Sequence, residues 1–411
     1  MVKNLFSFQC LDEEERLALD LLTKVIRDAI ADRASDIHLV PQAQEYVMRY
    51  RIDGVLREIA RHIPSVPASM ISVARKAAVI DPASALPQEG RLMFDATSGE
   101  MKGSAPMLRL SFFPTAFGEM MTIKILDPGK LELQKGKLDR IFSHEEEASL
   151  ARTILEKPYG VVIITGPAGS GKTTTYYAAL EYLAEKTRQQ CSIISLECPV
   201  ELQLDGVIQT TVDPPGGFTF ARALKSLMQQ DPDIIGCSEI QDLETARLLC
   251  NIAITGHLVI TLMHSADVAQ AIMRLLQLGL EPYLLGMSVE GIIAQRLVRK
   301  VCRNCSEEVR SNPEIVEQLR DEIDGYEKLA VTVRGKGCDK CGGSGYRGRV
   351  AVYEILPGDR SLDSIMMKCR SVEELRGALR GKGCASQKQK ALRLAMEGVT
   401  SLEEALRWTL V

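Results

Sequence analysis

Aromatic residues are scarce in this 411-residue chain, at 5% of positions with a single tryptophan. That scarcity excludes a surface that holds single strands by base stacking. Neither sign of charge dominates. Fifty Lys and Arg face 54 Asp and Glu, for a net charge of −4. This excludes a broadly basic nucleic-acid coat and an acidic disordered tail. Long hydrophobic runs are missing too. The longest uncharged run, residues 248–266, contains Asn251, Gly256, His257 and His264. It reads as a buried strand with its turns, not as a membrane span. The first ten residues hold one lysine and no apolar stretch long enough for a signal peptide. The expectation is a cytoplasmic protein whose membrane work, if any, passes through partners. Eleven cysteines, an odd number without a secretory signal, argue against a disulfide framework. Four of them form two C-x-x-C pairs. The other seven, including Cys10, Cys191, Cys250, Cys369 and Cys384, read mostly as small buried hydrophobes.

What is present is an ordinary globular mix, 45% hydrophobic and 25% charged, long enough for two or three domains. Residues 12–33 read as an amphipathic helix with Leu17, Leu19, Leu21, Leu22, Val25, Ile26 and Ile30 on one side. Short strands follow at 37–40, 46–51 and 55–59, the last two joined by the hairpin signal Asp53-Gly54. A helix at 68–80 and strands at 91–94, 107–113 and 120–126 complete an α+β domain over 1–126. Residues 127–140, rich in Lys, Gly and Pro, read as a linker. Ser143 then caps a helix with Glu145, Glu146 and Glu147 in its first turn. From residue 160 the pattern strand, glycine loop, helix, strand marks a parallel α/β sheet across a core of 141–300. Residues 301–349 are polar and rich in Gly and Cys, and 350–411 end in helices.

The core opens with a phosphate loop. The apolar run Val161 to Thr165 leads directly into Gly166, Pro167, Ala168, Gly169, Ser170, Gly171, Lys172 and Thr173, followed by Thr174 in a new helix. The glycines let backbone N–H groups point at phosphates, and the helix N-terminus adds partial positive charge. Lys172 would reach the β- and γ-phosphates, and Thr173 would hold Mg²⁺. Two later apolar runs end in acids, Glu197 (followed by Cys198, Pro199, Val200 and Glu201) and Glu239. A carboxylate at the C-terminal end of a strand sits where open α/β sheets bind ligands. Each alone reads equally well as a surface glutamate closing a strand, and their recurrence after the phosphate loop favours function. His257 reads either way. His264, past an apolar run at the same sheet edge, is placed to sense the γ-phosphate.

Cys302-x2-Cys305 and Cys338-x2-Cys341 lie thirty-two residues apart. Each pair puts two thiolates on one turn, and two such turns close a tetrahedron around Zn²⁺. Gly342, Gly343 and Gly345 suit a tight knuckle. Four thiolates leave no open position, so this zinc would be structural.

Taken in order, these motifs resemble those of the secretion ATPases that assemble type II secretion pseudopili and type IV pili. The resemblance runs from about residue 15 to the C-terminus. It rests on Ala34-Ser35-Asp36-Ile37-His38, Arg49-Tyr50-Arg51-Ile52-Asp53-Gly54, Pro87-Gln88-Glu89-Gly90-Arg91, the phosphate loop, and Glu197 to Glu201. It continues through Gln230-Asp231-Pro232-Asp233-Ile234-Ile235 ahead of Glu239, Thr255-Gly256-His257 with His264, and the cysteine pairs. The resemblance implies a homo-hexameric ring of two-lobed subunits: a smaller α+β, PAS-like lobe and a RecA-like P-loop lobe. The first lobe would donate arginines to a neighbour's nucleotide, with Arg49, Arg51, Arg91 and Arg109 as the matching positions. Without that resemblance, Arg49 and Arg51 read as a solvated edge. Glu197 would position or activate water, and Glu239 would help hold Mg²⁺. ATP, Mg²⁺ and Zn²⁺ are the implied cofactors. The implied partners are an inner-membrane platform protein and a membrane-docking component, with the enzyme peripheral on the inner face of the membrane and no nucleic acid bound. The tetracysteine module points to extension or secretion over retraction.

Departures from the family's pattern stand at Cys198, Ser238, Gln241, Ala266 and Lys124. Many members carry an extra N-terminal docking domain, and a resemblance that begins near residue 15 leaves the docking mode open. Two other readings compete: a nucleotide-binding scaffold that no longer turns over, and a DNA translocase, which the neutral charge disfavours.

Overall fold

The computed structural model describes residues 3–4, 12–81, 86–94, 106–126, 138–359, 362–369 and 371–407. Cys10 and residues 127–137 of the expected linker lie outside them. The chain divides into two compact units, Met1–Leu133 and Gln134–Val411.

In the first unit a seven-stranded sheet carries two helices. Its strands are β1 (Lys3–Asn4), β2 (Ala34–Pro41), β3 (Tyr46–Ile52), β4 (Val55–His62), β5 (Gln88–Met93), β6 (Met107–Thr115) and β7 (Gly118–Leu126). They are ordered β1-β5-β6-β7-β2-β3-β4, antiparallel except for the β1–β5 pair. Asp53 and Gly54 both adopt positive φ, which matches the right-handed twist of the flanking strands in the tight turn between β3 and β4. Helix α1 (Glu13–Ala31) starts at Asp12, whose carboxylate accepts from the Glu15 backbone N–H. Leu22, Val25 and Ile26 are buried as the periodicity predicts, but Leu17 is solvent-exposed. Helix α2 (Ser65–Ala77) packs beside α1. Both cover a core of Ile37, Leu39, Tyr50, Leu92, Leu110, Phe112 and Ile123 on one face of the sheet.

The second unit is built on β8 (Gly160–Thr165), β9 (Ile193–Glu197), β10 (Ile208–Thr211), β11 (Ile234–Cys237), β12 (Leu258–Met263), β13 (Val289–Val301) and, after a β14–β15 hairpin (Ser306–Arg310, Val331–Gly335), β16 (Tyr346–Pro357). The order β10-β9-β11-β12-β8-β13-β16 is parallel throughout except for the antiparallel last strand. Alternation along β8 fills both faces. Val162 and Ile164 pack under α3 (Glu145–Leu155) and α4 (Lys172–Lys186). Val161 and Ile163 pack under α5 (Phe220–Leu227), α6 (Leu243–Ile254), α7 (Val268–Gln277) and α8 (Pro282–Ser288). A further cluster joins α9 (Pro313–Gln318) to β13, β16 and the C-terminal helices α12 (Gln387–Met396) and α13 (Leu402–Arg407). Between β16 and α12 lie α10 (Leu362–Lys368) and α11 (Val372–Arg380). The mixed α/β class with a parallel sheet is the one expected.

Several local expectations need correction. Ser143 caps nothing. The chain is extended at His144, which precedes α3 without a side-chain cap, so Ser143 stands one residue too early. The uncharged run 248–266 is the end of α6 followed by β12, because an all-apolar stretch hides where the period changes. Arg49 and Arg51 lie on an interior strand, since β4 pairs on the far side of β3, so the edge reading fails. Of the six scattered cysteines in the described residues only Cys237 and Cys250 are buried. Cys191, Cys369 and Cys384 are half-buried and Cys198 is exposed. Among the described residues no helix is long and apolar enough to cross a membrane.

Candidate functional site

The C-terminal edge of the parallel sheet gathers the chemistry. β8 ends at Thr165 and the chain turns through the glycine loop into α4. Gly171 takes φ +89° at the helix entry, a left-handed conformation that a side chain would strain. Lys172 is only 8% exposed, and its ammonium donates to the carbonyls of Gly166 (2.7 Å) and Pro167 (3.0 Å). Because β12 runs parallel to β8 with Met263 paired to Thr165, the next residue, His264, falls beside the loop. Its Nδ1 lies 3.3 Å from the Lys172 ammonium. Burial lowers the Lys172 pKa to about 8, with the nearby Glu239 carboxylate pulling the other way. Burial and then the Lys172 charge push His264 below its ordinary value, which favours neutral imidazole. His257 is at the opposite end of β12, where its Nδ1 meets the Ile252 carbonyl at 3.1 Å. The structure therefore separates the two histidines.

Glu197 closes β9 and is 2% exposed. Three donors hold it. Tyr177 Oη donates to Oε2 (2.5 Å), while Ser195 Oγ (2.7 Å) and Gln209 Nε2 (2.8 Å) donate to Oε1. Tyr177 Oη also accepts from the Glu201 backbone N–H (3.0 Å), so α4 is tied to both ends of the Glu197–Glu201 segment. Glu239 follows β11 and is half-buried; Gln241 Nε2 donates to it at 2.9 Å. Ser238 Oγ accepts from the Cys198 N–H (3.2 Å), linking the two acidic segments. Gln295, on β13, was not singled out in the sequence. Its amide donates to the Ser170 carbonyl at 2.8 Å and pins the phosphate loop from below. A glutamine in an apolar strand 125 residues away carries no local signal.

The loop chemistry fits an anionic ligand. Ser170 Oγ is buried at the cradle without a hydrogen-bond partner. Thr173 and Thr174 are half-buried in the first turn of α4. The hydroxyl of Thr173 and the carboxylate of Glu239 are the hard oxygen donors that Mg²⁺ takes.

In the first unit, strand register aligns the candidate arginines. Arg91, Arg109, Lys124, Asp36 and Arg51 are successive cross-strand partners from β5 to β3. Ser111, Thr122, His38 and Arg49 form the adjacent row. Directly opposed residues share a face. This face is the one turned away from α1 and α2, so Arg49, Arg51, Arg91, Arg109 and Lys124 all stand on it. Arg51 meets Asp36 (3.7 Å), and Arg109 Nε donates to Glu89 (3.1 Å). Burial holds His38 below its ordinary pKa against the opposing pull of Asp36, with smaller help from Arg51 and Arg49.

Antiparallel β13 and β16 bring the cysteine pairs together. The four Sγ atoms lie within 4.8 Å of one another. Cys302–Cys338 is 4.0 Å, Cys305–Cys341 3.9 Å and Cys338–Cys341 3.7 Å. A tetrahedron with Zn–S bonds of about 2.3 Å has edges of about 3.8 Å. The N–H groups of Cys338 (3.1 Å) and Gly345 (3.3 Å) donate to Cys341 Sγ, as expected for a site that holds thiolates.

Comparison with known proteins bears on all of this. The family model described as type II/IV secretion system protein matches residues 12–407. The type IV pilus assembly ATPase PilB of Thermus thermophilus is 37% identical over 97% of this chain, which spans 44% of that protein. The type II secretion system protein E of Pseudomonas aeruginosa is 36% identical over 97% of this chain, which spans 76% of it. Among solved structures, the Legionella pneumophila ATPase DotB aligns over the whole chain and 99% of its own (TM-score 0.68, 17% identity). The pilus retraction motor PilT with bound ADP aligns over 94% of this chain and 96% of its own (TM-score 0.59, 21% identity). At those identities the two structures speak to fold alone.

Proposed function

The chain belongs to the type II/IV secretion system protein family, and from that premise we propose that it hydrolyses ATP to drive assembly of a type II secretion pseudopilus or a type IV pilus. The observation that carries the proposal is the cluster at one sheet edge: Lys172 folded into the glycine loop, His264 at 3.3 Å from it, and Glu239 within its electrostatic reach.

In this reading the loop N–H groups and Lys172 bind the β- and γ-phosphates, with Gly166 to Thr174 as the cradle. Thr173 and Glu239 hold Mg²⁺, which would neutralise developing phosphate charge. Glu197 orients the attacking water and accepts its proton; its three donors leave one of about four carboxylate acceptor sites for that task. His264, neutral and beside Lys172, reports the γ-phosphate to α7. Arg49, Arg51, Arg91 and Arg109 act on a neighbour's nucleotide within a homo-hexamer, where a guanidinium supplied in trans stabilises transition-state charge. The four cysteines hold a structural Zn²⁺. The platform protein, the docking component and a position on the inner face of the membrane belong to this proposal.

A scaffold without turnover is the competing reading. The contacts of Ser238 with Cys198 and of Gln241 with Glu239 favour a working site, because the first still connects the two acidic segments and the second still holds the Glu239 carboxylate. Lys172→Ala tests the assignment: nucleotide binding and turnover should both be lost, and unchanged turnover would sink it.

A further inference from the structure

Beneath Glu197 lies a second layer of hydroxyls. Tyr176 and Tyr177 are neighbours on α4, and both are buried. Tyr177 touches Glu197 directly. Tyr176 reaches Ser195 instead, with Oη 2.8 Å from Ser195 Oγ. A serine hydroxyl has one proton. Ser195 gives that proton to Glu197 Oε1 at 2.7 Å, so the proton in the Tyr176–Ser195 bond comes from tyrosine. Burial holds the Tyr176 phenol far above its ordinary pKa, so that proton is present at working pH. The chain of hydrogen bonds runs from Tyr176 through Ser195 to the accepting Glu197 carboxylate, and each bond polarises the next in a dry interior.

The space for Tyr176 comes from another strand. Gly236 sits on β11, two residues before Ser238 and three before Glu239. Its φ is ordinary, so backbone conformation does not require glycine there. Room does: a Cβ at 236 would stand 2.3 Å from Tyr176 Oη and 3.1 Å from Ser195 Oγ. Gly236 and the Tyr176 hydroxyl occupy one another's space.

We propose that Tyr176 is a positioning residue for hydrolysis: its hydroxyl, lodged in the gap that Gly236 leaves, fixes Ser195, which in turn fixes the Glu197 carboxylate. The proposal rests on Glu197 acting on the water, as above. Glu197 then has a fixed direction for its remaining acceptor site, and the strand that leads to Glu239 packs against the same hydroxyl at Gly236.

Steady-state ATP hydrolysis by the full chain tests it, with kcat and KM measured separately for wild type, Y176F, G236A, S195A, Y176F/G236A and E197Q. Loss of one hydrogen bond that orients the base should lower kcat about tenfold and leave KM within about twofold. G236A should do the same by displacing the hydroxyl, and Y176F/G236A should be no worse than Y176F alone, because both changes break one contact. S195A repeats the test should G236A fold poorly. Unchanged kcat in Y176F, a rise in KM alone, or losses that multiply in the double variant would overturn the relay. Loss of turnover in E197Q beside full kcat in Y176F overturns the relay and leaves the functional reading standing. Full kcat in E197Q overturns both.

Discussion

Replacing Cys338 by Ser removes one of four sulfurs that lie within 4.8 Å of one another, three of their separations, 3.7 to 4.0 Å, bracketing the edge of a zinc–thiolate tetrahedron. The consequence can be sized. Structural zinc sites bind with about 10–16 kcal/mol at neutral pH, and that energy is folding energy. A whole domain has only about 5–15 kcal/mol of net stability. The module between β13 and β16 has little else. Its own apolar contribution to the nearby core is Val316, Leu319 and Leu329, with Ile323 and Tyr326 half-buried beside them, packed on α12 and α13. Losing the metal should therefore unfold the segment between Cys302 and Gly345, while the parallel sheet, with separate cores on both faces, stays folded. Hydrogen exchange followed by mass spectrometry resolves the two regions. The expected result is near-complete loss of protection in peptides covering 302–345, with β8, β12 and the phosphate loop unchanged, and zinc falling from about one per chain to a trace. Unchanged protection in zinc-free Cys338→Ser protein would refute the reasoning.

Other perturbations give equally direct readings. Burial holds Lys172 at about 8 in the folded protein, against about 10.4 in an unfolded chain. Between those values the unfolded state binds more protons, so stability of the free protein should rise with pH across that window. Nucleotide phosphates should restore the ammonium form, and calorimetry at pH 8.5 in buffers of different ionisation enthalpy should record proton uptake on ATP binding; zero uptake or release would contradict this. Glu404 is buried and pairs with Arg299, which also lies 4.0 Å from the Tyr346 ring. Glu404→Ala should cost about 3–5 kcal/mol by removing the buried carboxylate that pairs with that guanidinium, read as a lower denaturation midpoint. Arg109→Ala should spare folding and nucleotide binding and lower turnover about a thousandfold or more, in the range of about 10³–10⁵ that trans-acting arginines supply elsewhere. Mixing Arg109→Ala with Lys172→Ala subunits should recover partial activity if the site is shared between subunits, whereas no recovery at any ratio would place the arginine in its own subunit's site.

The phosphate loop was legible because its chemistry is local. A strand, a glycine at a left-handed position and a helix lie within one short stretch, and each leaves a mark on the sequence. The cysteine pairs were legible for the same reason. The arginine face was legible only in part. Arg49 and Arg51 alternate on one strand, but the row that joins Arg51 to Lys124, Arg109 and Arg91, with Arg49 in the row beside it, depends on strand register, which pairs residues as distant in sequence as Asp36 and Lys124. Tyr176 and Tyr177 resembled ordinary core aromatics, and the hydroxyls that reach Ser195 and Glu197 have no spacing signature. Gln295 stood out from its apolar strand only once its partner, the Ser170 carbonyl, was placed. Ser143 and Leu17 show the other limit, since helix boundaries and the width of an apolar face shift by a residue without changing the pattern.

Mg²⁺-dependent ATP hydrolysis by the purified chain, measured beside Glu197→Gln, tests the central claim most directly. The account predicts turnover in the wild type and its loss in Glu197→Gln, with ATP still bound by both. Equal turnover in the two, or ATP bound by the wild type with no hydrolysis even beside the cytoplasmic part of the proposed platform protein, would contradict it.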